Sequence, residues 1–247
     1  MTIMDHQKSS WAILGFACLF FGAVLNPGVC KAATSPIPDR SQAFVAIRSV
    51  SVVRAGDKAG GVAALLSTQD PRRLAKYSRS GSGVIIDASG IIVTNAHLVQ
   101  NAAGISVELF NGTRLEGRII RILPESDLAF VSVRPFFPLL SVSVADSNRM
   151  VPGDMVYCIG RALNHNGALM GGKITALLKS SLSRTPRTEF LQIQFGFHLY
   201  GGDSGSPILD RKGNLVGLVS GGRRSGDMAT IAIASNVIHN AFSDISK

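Results

Sequence analysis

From Gly81 onward, short apolar runs alternate with polar turns. Val84-Ile85-Ile86 and Ile91-Ile92-Val93 flank Asp87-Ala88-Ser89-Gly90, which reads as a tight turn with glycine at its end. Ile105 to Phe110 and Thr113 to Ile122 flank Asn111-Gly112, a strong short hairpin signal. Leu128 to Val133 predicts a further strand. Pro135, Pro138 and the polar stretch Ala145 to Arg149 read as a connector. A second set of strands follows at Met155 to Ile159, Gly172 to Leu178, Phe190 to Phe195, Pro207 to Leu209, Leu215 to Val219 and Thr230 to Ala234. The apolar spacing of Val237, Ile238, Ala241, Phe242 and Ile245 predicts an amphipathic helix from Ser235 to Ile245, capped near Ser235 or Asn236. Ahead of Gly81, Phe44 to Val53 reads as a strand. Residues 54–80 carry Gly60-Gly61, Asp70-Pro71 and the basic group Arg72, Arg73, Lys76 and Arg79, and read as a long surface loop with at most one short helix. Many short strands split by a mid-chain connector predict an all-β fold of two barrels packed side by side, closed by a C-terminal helix.

Composition agrees with this pattern. Of 247 residues, 46% are hydrophobic and 17% charged, which supports a packed core and excludes a disordered chain. Twenty-six glycines and ten prolines suit a turn-rich β protein. The net charge of +9 favours acidic partners in general. No motif for specific nucleic-acid binding accompanies it. The first residues differ from the rest. Lys8 precedes an apolar run from Trp11 to Leu25, which ends at Asn26-Pro27-Gly28 before the small residues Ala32 and Ala33. This is the layout of a secretory signal peptide over residues 1–32, cleaved after Ala32, and it implies a periplasmic or secreted protein. Left uncleaved, the run would anchor the chain to a membrane. Cys18 and Cys30 lie within it, so only Cys158 remains in the mature chain and no internal disulfide is expected. Cys158 lies in an apolar stretch and reads as a buried structural thiol. No metal-ligand cluster or cofactor motif is present in the sequence; neither a metal nor a cofactor is expected.

The sharpest chemical signal is Gly201-Gly202-Asp203-Ser204-Gly205-Ser206-Pro207. A serine hydroxyl is a poor nucleophile unless a neighbouring base takes its proton. The backbone beside it must turn so that N–H groups face a developing oxyanion. Glycines around the serine permit such a turn. A second signal is Thr94-Asn95-Ala96-His97, which places an imidazole at the end of a strand. His6, His165, His198 and His239 lack that context. The third is Ser126-Asp127-Leu128-Ala129-Phe130-Val131, a carboxylate heading an apolar strand and in need of a polar partner. The ring N–H of His97 is the natural candidate.

These three motifs, in the order His, Asp, Ser, resemble the trypsin-fold serine proteases. Gly81 to Ile86, Thr94 to His97 and Ser126 to Ala129 look closest to the HtrA-like branch. The resemblance implies two six-stranded antiparallel barrels with the active site between them. Residues 33–80 would form a lead-in strand and loop, and 81–247 the peptidase domain. Its first barrel would run to about 140, its second from about 150 to 234, with the helix last. It implies Ser204 as nucleophile, His97 as base, Asp127 as the group orienting His97, and the Gly202 and Ser204 N–H groups as oxyanion hole. Ser220, Gly221 and Gly222 would pair with an extended peptide or protein substrate. His198 would line the side-chain pocket, unless it faces solvent or a backbone carbonyl and Phe195, Phe197, Leu199 and Tyr200 make that pocket apolar. Three departures stand out. The sequence ends at Lys247, so no PDZ-like domain is expected. Asp203 precedes the nucleophile where the branch usually has asparagine, and its burial would demand a partner. Ser206-Pro207 is closer to other trypsin-fold branches. The primary expectation is a serine endopeptidase. The alternatives are a catalytically weak relative that binds peptides and a basic module for anionic polymers. Oligomeric state and natural substrate are not encoded legibly.

Overall fold

Alternation of core-facing and outward residues organises the described residues into antiparallel strands, and two of the connections are tight turns whose chemistry is local. In the turn after Asp87, its carboxylate accepts the Ser89 N–H at 2.8 Å, and Gly90 closes the turn at φ +104°. In the next hairpin the Asn111 side chain accepts the Thr113 N–H at 3.0 Å, and Gly112 takes φ +84°. The computed structural model describes residues 37–54, 74–159, 169–179, 189–195, 202–222 and 229–245.

The first barrel comprises β1 (Phe44–Arg54), β2 (Leu74–Asp87), β3 (Ile91–Asn95), β4 (Gly104–Glu108), β5 (Arg114–Leu123) and β6 (Leu128–Ser132). Its strand order is β1-β2-β3-β6-β5-β4, and β1 closes back on β4. The second comprises β7 (Met155–Ile159), β8 (Leu169–Lys179), β9 (Glu189–Phe195), β10 (Pro207–Leu209), β11 (Leu215–Gly222) and β12 (Ala229–Ala234), in the order β10-β11-β12-β9-β8-β7. Helix α1 (Ala96–Val99) follows β3, and α2 (Ser235–Ser243) follows β12. The two six-stranded barrels and the final helix match the expected architecture.

Two expectations need correction. Residues 74–80 are not loop: they form the first half of β2 and pair with β1 from Arg54↔Leu74 to Arg48↔Ser80. The sequence hides this strand because its Ser, Lys and Arg residues give no apolar alternation. In consequence β1 is no lead-in; it is a wall of the first barrel, which starts at Phe44 rather than Gly81. The rest of the expected loop, 55–73, lies outside the described residues, as does the expected signal segment.

Each barrel has its own apolar interior. Ile47, Ile85, Ile92, Val107 and Val131 fill the first, and Val156, Cys158, Leu191, Ile193 and Val216 the second. A third cluster joins them. Phe44, Val84, Leu128 and Phe130 of the first barrel pack with Tyr157, Leu209, Leu218 and Ile233 of the second and with Val237, Ile238 and Ala241 of α2. Phe242 stacks on Phe130 at 6.1 Å, and Arg121 donates to the Ala241 carbonyl at 3.2 Å. The connector is fastened to both barrels: Val142 donates to the Ile85 carbonyl at 3.0 Å, and Ala145 to that of Leu215 at 2.8 Å. Apolar burial across this seam fixes how the strand ends of the two barrels face each other.

Candidate active site

Strand register brings the first two site residues together. In the β3–β6 pair, Thr94 lies opposite Ala129 and Asn95 opposite Leu128. Ala96 therefore meets Asp127, and its N–H donates to the Asp127 carbonyl at 3.0 Å. The Asn95 side-chain amide donates to the same carbonyl at 3.2 Å. One residue further on, the His97 N–H donates to Asp127 Oδ1 at 3.0 Å, and ring Nδ1–H donates to Oδ2 at 2.9 Å and Oδ1 at 3.0 Å. Asp127 adopts the left-handed conformation, φ +52°, which side chains other than glycine rarely take. That turn, after Pro124–Ser126, aims the carboxylate back at His97.

Asp127 has a third donor. The Ser220 hydroxyl, on β11 of the other barrel, donates to Oδ2 at 2.7 Å. Burial raises the Asp127 pKa, but the hydrogen bonds from the His97 ring, the Ser220 hydroxyl and the His97 amide, with the His97 charge, outweigh it. The carboxyl is held below its ordinary value and stays an acceptor. With Nδ1 committed to this carboxylate, Nε2 is the remaining ring nitrogen, and the His97 side chain is 46% exposed.

Ser204 sits in a turn clamped between the barrels. The Ser82 N–H, on β2, donates to the Ser204 carbonyl at 2.8 Å, and the Gly205 N–H donates to the Val219 carbonyl, on β11, at 2.8 Å. Within the turn the Ser206 N–H donates to the Asp203 carbonyl at 2.9 Å. Gly202 and Gly205 take φ +116° and +83°. At Gly205 a Cβ would lie 1.9 Å from the Ser82 carbonyl oxygen, so both dihedral and space demand glycine. Gly205→Ala is expected to cost roughly 3 kcal/mol or more, because strain and a backbone clash coincide. A urea midpoint equal to that of the parent would show that the turn is not fixed in this way.

The residues singled out in the sequence divide as follows. His97 and Asp127 are directly bonded, and the Ser204 turn is bonded to β2 and β11. Gly202 lies in that turn. Ser220, Gly221 and Gly222 lie at the end of β11 beyond its pairing with β10, which covers Leu215 to Leu218. The side chain of Ser220 is spent on Asp127 rather than turned to a substrate. Sequence reasoning missed this role, and only the bulge in register between Val219 and Gly221 marks the position. His198 lies outside the described residues. Asp203 is buried at 1% exposure. It lies close enough to Cys158 that its charge adds to burial in raising that thiol's pKa, so Cys158 is a buried, protonated thiol.

The family model for the trypsin-like peptidase domain matches residues 81–218, more than half of the chain. The chain belongs to the trypsin-like peptidase family. Among similar proteins, the periplasmic serine endoprotease DegP of Escherichia coli K12 is 32% identical over 144 residues, covering 58% of this chain and 30% of that protein. The putative serine protease HhoB of Synechocystis is 33% identical over 178 residues, covering 70% of this chain and 42% of the relative. The chain thus spans less than half the length of these relatives. Among solved structures, the HtrA-type protease AlgW with a decapeptide superposes with a TM-score of 0.65 at 22% identity, covering 83% of this chain and 64% of that one. This peptidase therefore has the double-barrel fold of the HtrA-type proteases, and its sequence relatives include periplasmic DegP.

Proposed function

We propose that this peptidase is a serine endopeptidase that cleaves extended protein segments through an acyl-enzyme intermediate. The observation that carries the reading is the His97–Asp127 pair. An ionised carboxylate receives Nδ1–H, which fixes the tautomer in which Nε2 is the basic atom. In this mechanism Nε2 takes the proton of Ser204 Oγ as the oxygen attacks the scissile carbonyl carbon. The carbonyl oxygen becomes an oxyanion held by the Gly202 and Ser204 N–H groups. The C–N bond then breaks, and the imidazolium gives its proton to the leaving amine. A water deprotonated by the same Nε2 attacks the acyl carbon, the bond from that carbon to Ser204 Oγ breaks, and the imidazolium returns the proton to Oγ. Asp127 balances the transient imidazolium, and Ser220 keeps Asp127 in place.

The β11 edge at Ser220 to Gly222 would pair with the substrate backbone as an added strand, and this favours unfolded chains. Solved AlgW structures with a decapeptide and with a tripeptide support peptides as the ligand class. His198 is proposed for the wall of the side-chain pocket. Release of peptides from denatured casein by the purified protein, lost in His97→Ala, tests the reading. A folded parent that binds casein without cutting it would make the cleft a peptide-binding scaffold instead.

The named relatives DegP are periplasmic, and the hydropathy of residues 1–32 supports export of this chain by the same route. The mature protein is expected to begin at Ala33. Amino-terminal sequencing of the exported fraction checks this; an intact Met1 in the membrane fraction would mean an uncleaved anchor.

A further inference from the structure

We infer that Arg79 forms a carboxylate-binding subsite on the leaving-group side of the scissile bond, so that substrates with Asp or Glu shortly after that bond are preferred. The inference rests on the proteolytic reading above and adds a substrate class to it.

The placement follows from β2. Ser82 on this strand holds the Ser204 carbonyl, and a Cβ on Gly81 would lie 2.9 Å from the same oxygen. Arg79 is on the same face of the strand as Gly81, two residues or roughly 7 Å earlier. Leu98 of α1 packs over Gly81, and just beyond it Gln100 ends the helix that carries His97. Arg79 spans this corner. One terminal guanidinium nitrogen donates to the Gln100 carbonyl at 3.1 Å and the other to the Tyr77 hydroxyl at 3.0 Å, and the group lies 4.8 Å from the centre of the Tyr77 ring. The cation is thus anchored on the rim of the first barrel, between the strand beside the nucleophile and the helix of the base.

Its two partners, Gln100 and Tyr77, are both neutral, and none of the ion pairs among the described residues includes it. A guanidinium has five N–H donors, of which these contacts engage two. A half-buried cation held by neutral groups, with donors to spare, has already lost much of the freedom that binding a carboxylate would cost.

The side of the bond follows from the clamp on Ser204. Its turn is tied to β11 through Gly205 and Val219, and to β2 through Ser82. A chain paired along the end of β11 reaches Ser204 from the second barrel. Past the scissile bond it leaves over β2 and the end of α1, where Arg79 sits. Were Arg79 only a brace for the barrel rim, the charge of the departing segment would not matter.

Internally quenched peptides sharing one cleavage site test this. Glu, Gln or Lys is placed at the first to third residue after the bond, and a matched set carries the same changes before it. The expected result for the intact protein is a kcat/KM for Glu about fivefold above Gln, with Lys lowest, on the leaving-group side alone. The ratio should approach one in Arg79→Gln and invert in Arg79→Glu, and 0.5 M salt should shrink it in the parent, a test that needs no variant to fold. Equal rates for Glu, Gln and Lys after the bond would overturn the subsite while leaving proteolysis intact. So would an acid preference equal on both sides, which would reflect the net charge of +9, or a preference that survives in both variants. Failure to cleave any peptide would overturn the proteolytic reading and this one with it.

Discussion

Ser204→Ala should reduce casein hydrolysis to the background of a blank preparation, a loss of several orders of magnitude. The residue is in a turn whose shape is set by backbone hydrogen bonds from Ser82, Gly205 and Ser206. None of these uses the Ser204 hydroxyl, so removing one oxygen leaves the turn intact. The variant should therefore melt at the temperature of the parent while turning over nothing. His97→Ala should be about as damaging, and the double variant no worse than either. In the proposed mechanism the two groups share one proton transfer, so their losses should not add. A double variant whose loss equals the product of the single losses would mean that the residues act independently.

If Asp127 orients His97 as proposed, Asp127→Asn should lower kcat by about 10⁴, the loss that the same change causes in trypsin. The amide cannot accept three N–H or O–H donors as a carboxylate does, and it turns the imidazole toward the tautomer with Nε2 protonated. The same change has a pH signature in stability. The folded-state pKa of Asp127 lies below its ordinary value. The ionised group therefore contributes stability that is fully present above about pH 4, the ordinary carboxylate range, and is lost as pH falls through the depressed value. The melting temperature of the parent should exceed that of Asp127→Asn near neutrality, and the gap should close in acid. A gap that is constant from pH 7 to pH 2 would contradict the assigned contacts.

Much of this was legible in the sequence because it rests on local chemistry. Asp87 to Gly90 and Asn111-Gly112 announce their turns by residue type, and the limits of β7 and β10 coincide with their apolar runs. Ser204 and its glycines were legible for the same reason: few other arrangements need that density of small residues around one hydroxyl. What stayed hidden depends on partners distant in the chain. Leu74 to Ser80 pairs with β1, but its sequence mixes Lys, Ser and Arg with few apolar residues, so no alternation betrays the strand. Helix α1 is too short for a helical period to register. Ser220 looks like any polar residue at the end of an apolar strand. Its role comes from the packing of two barrels, which brings β11 to the carboxylate of the other unit. The left-handed turn at Asp127 is likewise set by the register of β3 and β6.

The most direct test of the proposed triad is covalent. The purified protein is incubated with a fluorophosphonate, digested, and the modified residue located by mass spectrometry. A single phosphonylated site is expected at Ser204, formed rapidly in the parent and at background rate in His97→Ala. Modification spread over other serines, or equal rates in parent and His97→Ala, would contradict it.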